Sequence, residues 1–151
     1  MAGIKNILLA TDFGDASDAA MSTAFELAQA LDATVHVLHV FTLQDNTLDA
    51  RMSAVGITEL QKQLEAKVQA LLGPGPGAGR LGRVLTHFGA PAPLVLRTAE
   101  ELPADMIVLG SHGRQGIARL LLGSVAEAVV REAKCPVLVA KPKGLGAERA
   151  G

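Results

Sequence analysis

Met106-Ile-Val-Leu-Gly-Ser-His-Gly-Arg-Gln-Gly-Ile-Ala-Arg-Leu-Leu-Leu-Gly-Ser-Val-Ala-Glu127 carries three signals in succession. Met106 to Leu109 is an apolar run of strand length. Gly110 to Gly123 is a glycine-rich loop. Val125 to Ala133 then follows a helical pattern. Strand, glycine loop and helix in that order form an anion-binding arrangement. The first N–H groups of a helix lack intrahelical partners and carry partial positive charge, and glycines let an anion approach them. The remainder of the chain reads as a scaffold holding this loop open to a phosphate-bearing ligand.

Outward from this stretch, strand and helix patterns alternate. Ile4 to Ala10 is apolar enough for a strand covered on both faces. Thr11-Asp-Phe-Gly14 breaks it, and a helix starts near Asp15 to Ser17, both capping residues, with Ala20, Ala24, Leu27, Ala28 and Leu31 as its apolar stripe. Thr34 to Phe41 is a β-branched second strand. Thr42 to Gly56 reads as a polar loop. Ile57, Leu60, Leu64, Val68 and Leu71 mark a second helix, stopped by the Gly73–Gly79 linker. Arg83 to Phe88 is a third strand. Pro91 sits in the first turn of a third helix, whose Leu94, Val95, Ala99 and Leu102 face inward. Asp105 to Leu109 is the fourth strand, and Cys135 to Ala140 the fifth. Five strands alternating with four helices predict an α/β fold: a five-stranded parallel sheet with helices on both faces. Residues 1–142 form one domain, and 143–151 read as a flexible polar tail.

Two features sharpen the loop. Ser124-Val-Ala-Glu127 matches a capping box, which predicts a helix start at Ser124 and free N–H groups near Gly123 to Val125. The glycines follow a fixed spacing: Gly110, two residues, Gly113, nine residues, Gly123, then Ser124. This spacing resembles the hallmark motif of the ATP-binding branch of the universal stress protein family. The resemblance spans nearly the whole chain. It includes Ile7 to Asp12, Leu38-His-Val40, Asp105 to Gly113, Leu120 to Glu127 and Cys135 to Val139.

The resemblance implies a strand order of 3-2-1-4-5, in the manner of adenine nucleotide alpha hydrolase-like folds. Strands one and four are then neighbours whose helices leave on opposite faces, a switch point where open α/β sheets bind ligands. It implies ATP as cofactor, with Mg²⁺ as a companion ion. Asp12 and the Val40 backbone would meet the adenosine end, with Ala10 and Thr11 at the exit of strand one. Leu109 would pack on the base. Gly110 and Gly113 would admit the ribose and phosphates, and Gly123, Ser124 and Val125 would bind phosphate. Ala10 departs from the family pattern, which often has proline there. Arg114 and Arg119 lie between the glycines, where they can reach phosphate. The family also implies a homodimer through the fifth strand, an apolar edge in this order.

Composition narrows the alternatives. The chain has 151 residues, 49% hydrophobic and 19% charged, with a net charge of −1. This suits one globular domain and offers no basic surplus for nucleic acid. Four Phe with no Tyr or Trp, and one Cys, argue against a base-stacking platform, a disulfide framework or a cysteine zinc site. The N-terminus does not resemble a signal peptide and no apolar run reaches the roughly 20 residues of a membrane span, so a cytoplasmic protein is expected.

Several residues read as structural. His36 and His39, three apart on a strand, point to opposite faces and do not form a shared metal site. Ser111 and His112 are adjacent, without the geometry of a nucleophile and base, and Cys135 reads as core. Gly77-Ala-Gly-Arg-Leu-Gly82 matches G-x-G-x-x-G but precedes a strand, so it is not a dinucleotide loop. The expected function is a nucleotide-binding, dimeric regulatory module acting in stress adaptation. The alternatives are a slow ATPase or self-phosphorylating protein, for which no catalytic residue stands out, and a dimeric partner protein without nucleotide.

Overall fold

The computed structural model describes residues 3–42, 54–74, 76–111 and 122–142. Its strands are β1 (Asn6–Ala10), β2 (Thr34–Phe41), β3 (Leu81–Phe88), β4 (Met106–Gly110) and β5 (Val137–Ala140). Its helices are α1 (Asp15–Leu31), α2 (Ala54–Leu72), α3 (Pro91–Glu101) and α4 (Ser124–Glu132). The five strands form one sheet in the order β3-β2-β1-β4-β5, all neighbours parallel. The expected order and class are therefore what the chain adopts.

The apolar runs of β1, β2 and β4 divide by strand periodicity. Ile7, Leu9, Val35, Val37 and Val108 pack with Ala20, Met21, Ala24, Phe25 and Ala28 of α1 and with Leu64 and Val68 of α2. Leu8, Leu38, Ile107 and Leu109 pack on the other face with Val95 and Ala99 of α3 and with Ala126 and Val129 of α4. Each large apolar side chain so buried stabilises the fold by roughly 1.5–3 kcal/mol. A sheet buried on both faces needs two helical layers, so α1 and α2 cover one face and α3 and α4 the other.

Several element boundaries differ from expectation. β1 begins at Asn6, where the Asp105 carboxylate takes over the backbone: its Oδ2 accepts the N–H groups of Lys5 and Asn6, both at 2.9 Å. Those bonds hold the Asp105 carboxyl below the usual carboxylate range. α1 is capped by Gly14 without a side-chain bond, not by Asp15 or Ser17. Its stripe includes Met21 and Phe25, whereas Leu31 is 40% exposed. Residues 54–56 are helical; 43–53 lie outside the described residues. The glycine linker contains a 3₁₀ turn, Pro76–Arg80, that delivers the chain directly into β3 at Leu81. Pro91 stands in the first turn of α3, as expected. The 143–151 tail lies outside the described residues.

His36 repairs the one irregularity in the ladder between β2 and β3. The register shifts between Val35 and Val37, whose partners are Leu81 and Val84, so β3 carries an extra residue there. The Arg83 N–H donates to His36 Nδ1 at 3.0 Å, and the other ring nitrogen meets Asn6 Oδ1 at 3.2 Å. An Nδ1 that accepts leaves the proton on Nε2, so this is a neutral imidazole. Burial, then the neighbouring Arg83 charge, pull its pKa below 6.5. The unfolded chain thus takes up a proton more readily than the folded one. The contribution of His36 is fully present above pH 6.5 and is lost as pH falls through its folded pKa. Thermal melts recorded on either side of that pH should show stability falling on the acid side. The fall should be smaller in His36→Asn, whose amide oxygen accepts without titrating.

Candidate functional site at the carboxyl ends of β1 and β4

β1 and β4 are the neighbours from which the chain leaves in opposite directions. Ala10 pairs with Leu38 on one side and Leu109 on the other. Beyond β1 the chain turns into α1 on one face; beyond β4 it reaches α4 on the other. A crevice outside the strand ends follows from this divergence.

The Asp12 loop forms one wall. Thr11 N–H continues the sheet by donating to the Leu38 carbonyl at 3.0 Å. Thr11 Oγ1 then accepts the Phe13 N–H at 3.0 Å, and Asp12 Oδ1 accepts the Gly14 N–H at 2.8 Å. The Ser17 hydroxyl donates to the same Asp12 oxygen at 2.6 Å and accepts the Asp12 N–H at 3.2 Å. Side-chain oxygens thus hold the turn, as Asx and Ser/Thr turns do. Ser17 pins Asp12 in place of capping α1. Asp12 is half-buried beside the strand end. Phe13 adopts a left-handed conformation, φ 62°, which costs a side-chain-bearing residue roughly 1–2 kcal/mol.

The start of α4 forms the other wall. Its cap is Gly123, φ −70° and ψ 166°, with no side-chain cap bond. The expected capping box is absent: Ser124 is the first helical residue, and Glu127 pairs with Arg131 one turn on. The Gly123 N–H is also taken, donating to the Ser111 carbonyl at 2.5 Å. The first intrahelical bond is that of Glu127 N–H to the Gly123 carbonyl, 2.9 Å. The N–H groups of Ser124, Val125 and Ala126 precede it, so helix geometry leaves them without intrahelical partners. Ser124 is exposed and Val125 half-buried. The donors on offer therefore lie one residue further along than the capping-box reading placed them.

Other expected site residues have structural duties. Leu109 is 3% exposed in the α3–α4 core, so its side chain serves packing. Gly110 is glycine because α1 lies against it. A Cβ there would come within 2.7 Å of the Ala16 carbonyl carbon and 2.8 Å of the Ser17 nitrogen. Val40 is half-buried on β2, opposite His87 of β3. Gly113, Arg114 and Arg119, and with them His112, lie outside the described residues. Cys135 is half-buried, and burial first of all pushes its thiol pKa up, as suits a packing residue. Among the described residues no group of three or more His, Cys, Asp or Glu is placed to hold a metal ion, and no helix is long and apolar enough to cross a membrane.

A model of the Universal stress protein family matches residues 3–141. The chain belongs to that family. It is 38% identical over 141 residues to universal stress protein MJ0531 of Methanocaldococcus jannaschii, with 91% of this chain and 82% of that relative covered. Its fold superposes on hypothetical protein MJ0577 with a TM-score of 0.76 at 26% identity, covering 95% of this chain and 99% of the other. It also resembles a universal stress protein solved in complex with cAMP, with a TM-score of 0.66 at 25% identity, covering 94% and 100%. For this universal stress protein the fold and the family are thus settled together.

Sequence reasoning passed over His39 and Phe13 as parts of this wall. Phe13, His39, Phe41 and Phe88 form a row of rings, with centroids 5.3 Å apart for Phe13–His39, 4.5 Å for His39–Phe41 and 5.3 Å for Phe41–Phe88. The available signal was the period-2 spacing of His39 and Phe41, which puts both on the face toward α2. That Phe13 joins them depends on its left-handed backbone, which no sequence pattern announces. The close approach at Gly110 gives a direct test of packing. Gly110→Ala should lower stability by about 1–3 kcal/mol in urea titrations, because backbone on α1 must shift to admit the methyl group.

Proposed function

We propose that this chain binds ATP, with Mg²⁺ as companion ion, in the crevice between the Asp12 loop and the start of α4, as a regulatory module of the stress response. The observation that carries the reading is the convergence of a held carboxylate and a row of helix N-terminal donors on the two sides of the β1–β4 switch point. Phosphate suits the α4 end, where aligned N–H groups and the Ser124 hydroxyl offer hydrogen bonds to an anion. A ribose hydroxyl suits Asp12, whose carboxylate can only accept when ionised. The glycine spacing and the cAMP complex of a similar protein support an adenine nucleotide over other anions. Mg²⁺ would be held chiefly by the phosphates and water, as this ion prefers, without a protein cage. The residues proposed for the nucleotide are Ala10 to Asp12, Val40, Gly110, Gly113, Arg114, Arg119 and Gly123 to Val125, with Leu109 beneath them.

A homodimer through β5 is part of the same proposal. β5 is a sheet edge whose residues, Val137 to Ala140, are all apolar, and an open edge of that kind favours pairing. Light scattering should give twice the chain mass; a monomer at working concentration would contradict it.

The nucleotide reading rests on backbone donors, so proline is the probe. Ser124→Pro removes one N–H and the hydroxyl at the first helical position, where proline is tolerated, and the extended Gly123 accommodates a following proline. Charge-assisted hydrogen bonds contribute ~1.5–3 kcal/mol each, so calorimetry should show ATP affinity falling at least about tenfold with the melting temperature little changed. Absence of ATP binding by the unmutated protein would reject the reading, and cAMP titrated in parallel shows whether the polyphosphate matters.

A further inference from the structure

We infer that His39 is a positioning residue for the Asp12 wall, acting through the Thr11 carbonyl and the Phe13 ring. This deepens the nucleotide reading and rests on it for the ligand, though not for the geometry. His39 is 6% exposed on β2, and its Nδ1 lies 2.8 Å from the Thr11 carbonyl oxygen. A carbonyl only accepts, so Nδ1 carries the proton and donates.

That bond falls at a decisive place in the chain. Thr11 is the last residue held by the sheet, through its N–H to Leu38, and Asp12 is the first beyond it. The Thr11 peptide carbonyl is bonded covalently to the Asp12 nitrogen, so its direction sets where the Asp12 backbone goes. His39 fixes that direction from the neighbouring strand. The same ring then packs against Phe13, the residue after Asp12, at 5.3 Å. Asp12 is therefore bracketed on both sides by contacts to one side chain.

Phe13 explains why such bracketing is needed. A left-handed phenylalanine persists only where its surroundings over-determine it. Three contacts do so here. Thr11 Oγ1 holds its N–H, the His39 ring lies on one side, and Lys67 of α2 sits 4.3 Å from its ring centroid. His39 in turn is backed by Phe41 in an edge-on contact, interplanar angle 89°, and Phe41 by Phe88. The column from β3 through β2 to the Asp12 loop ties the loop to the rigid sheet. A strained residue so supported, beside a candidate ligand carboxylate, is what preorganisation of a site looks like in structure.

Three variants test this: His39→Asn, His39→Gln and His39→Leu. The asparagine amide nitrogen stands near the position of Nδ1 and can donate to the Thr11 carbonyl; the glutamine amide stands nearer Nε2, and leucine offers no donor. All three remove the ring and should lower the melting temperature. Two readouts separate positioning from general stability. Amide hydrogen exchange at Phe13 and Gly14, measured in the unliganded protein, should quicken in the leucine and glutamine variants and recover in the asparagine variant. ATP affinity by calorimetry should fall about tenfold in the leucine variant and recover most of that in the asparagine variant. Exchange at Phe13 and Gly14 that tracks only the melting temperature across the three variants would overturn the positioning role. Failure of the unmutated protein to bind ATP would instead overturn the nucleotide reading, and the exchange data would still decide what His39 does.

Discussion

The pairing of β1 with β4 is the constraint on which the rest of the structure depends. Both are central strands, parallel, and buried on both faces, with Ile7, Leu8, Leu9, Ile107 and Val108 fully shielded from water. Parallel neighbours cannot be joined by a tight turn, and a sheet apolar on both sides must be covered twice. Helices on opposite faces are the consequence. Where two neighbouring strands of an open α/β sheet send their chains to opposite faces, a crevice forms between the two exits. The crevice is thus a by-product of burying the centre of the sheet.

Among the described residues, what surrounds the crevice is mostly backbone. On the α4 side the useful groups are the first N–H groups of the helix, brought into place by the Gly123 N–H bond to the Ser111 carbonyl. On the β1 side a carboxylate is held by a turn amide and a serine hydroxyl. Gly110 serves the same end indirectly. By yielding its side-chain space to Ala16 and Ser17, it lets α1 begin close against the sheet, where Ser17 can reach Asp12. Small residues along α1, Ala16, Ala20, Ala24 and Ala28, continue that close contact down the helix.

Much of the fold was legible in the chain because burial leaves a periodic trace. The apolar runs of β1, β2 and β4 and the stripes of α2 and α3 needed no tertiary knowledge, apart from Leu71, expected in the α2 stripe but 48% exposed. Ends of elements were less legible. Ser124-x-x-Glu127 has the residues of a capping box, yet Glu127 finds Arg131 on the same helix, and Gly123 bonds across to Ser111. Local pattern names the candidates for a hydrogen bond, but competing partners decide among them. Leu109 illustrates a similar limit in the site: an apolar residue at a strand end suits either a ligand or the core, and here it lies in the core beneath α3 and α4.

The sequence by itself determined the alternation of strands and helices, the parallel sheet and the glycine motif through which the family is recognised. These are carried by residue type and spacing along the chain. Tertiary structure alone decided that Gly110 makes room for α1, that His36 satisfies the bulged Arg83 N–H, and that His39 reaches back to Thr11. Each of these joins positions distant in sequence and close in space. Their existence depends on strand register and on which groups reach one another within hydrogen-bonding distance, quantities that appear only once the sheet has formed.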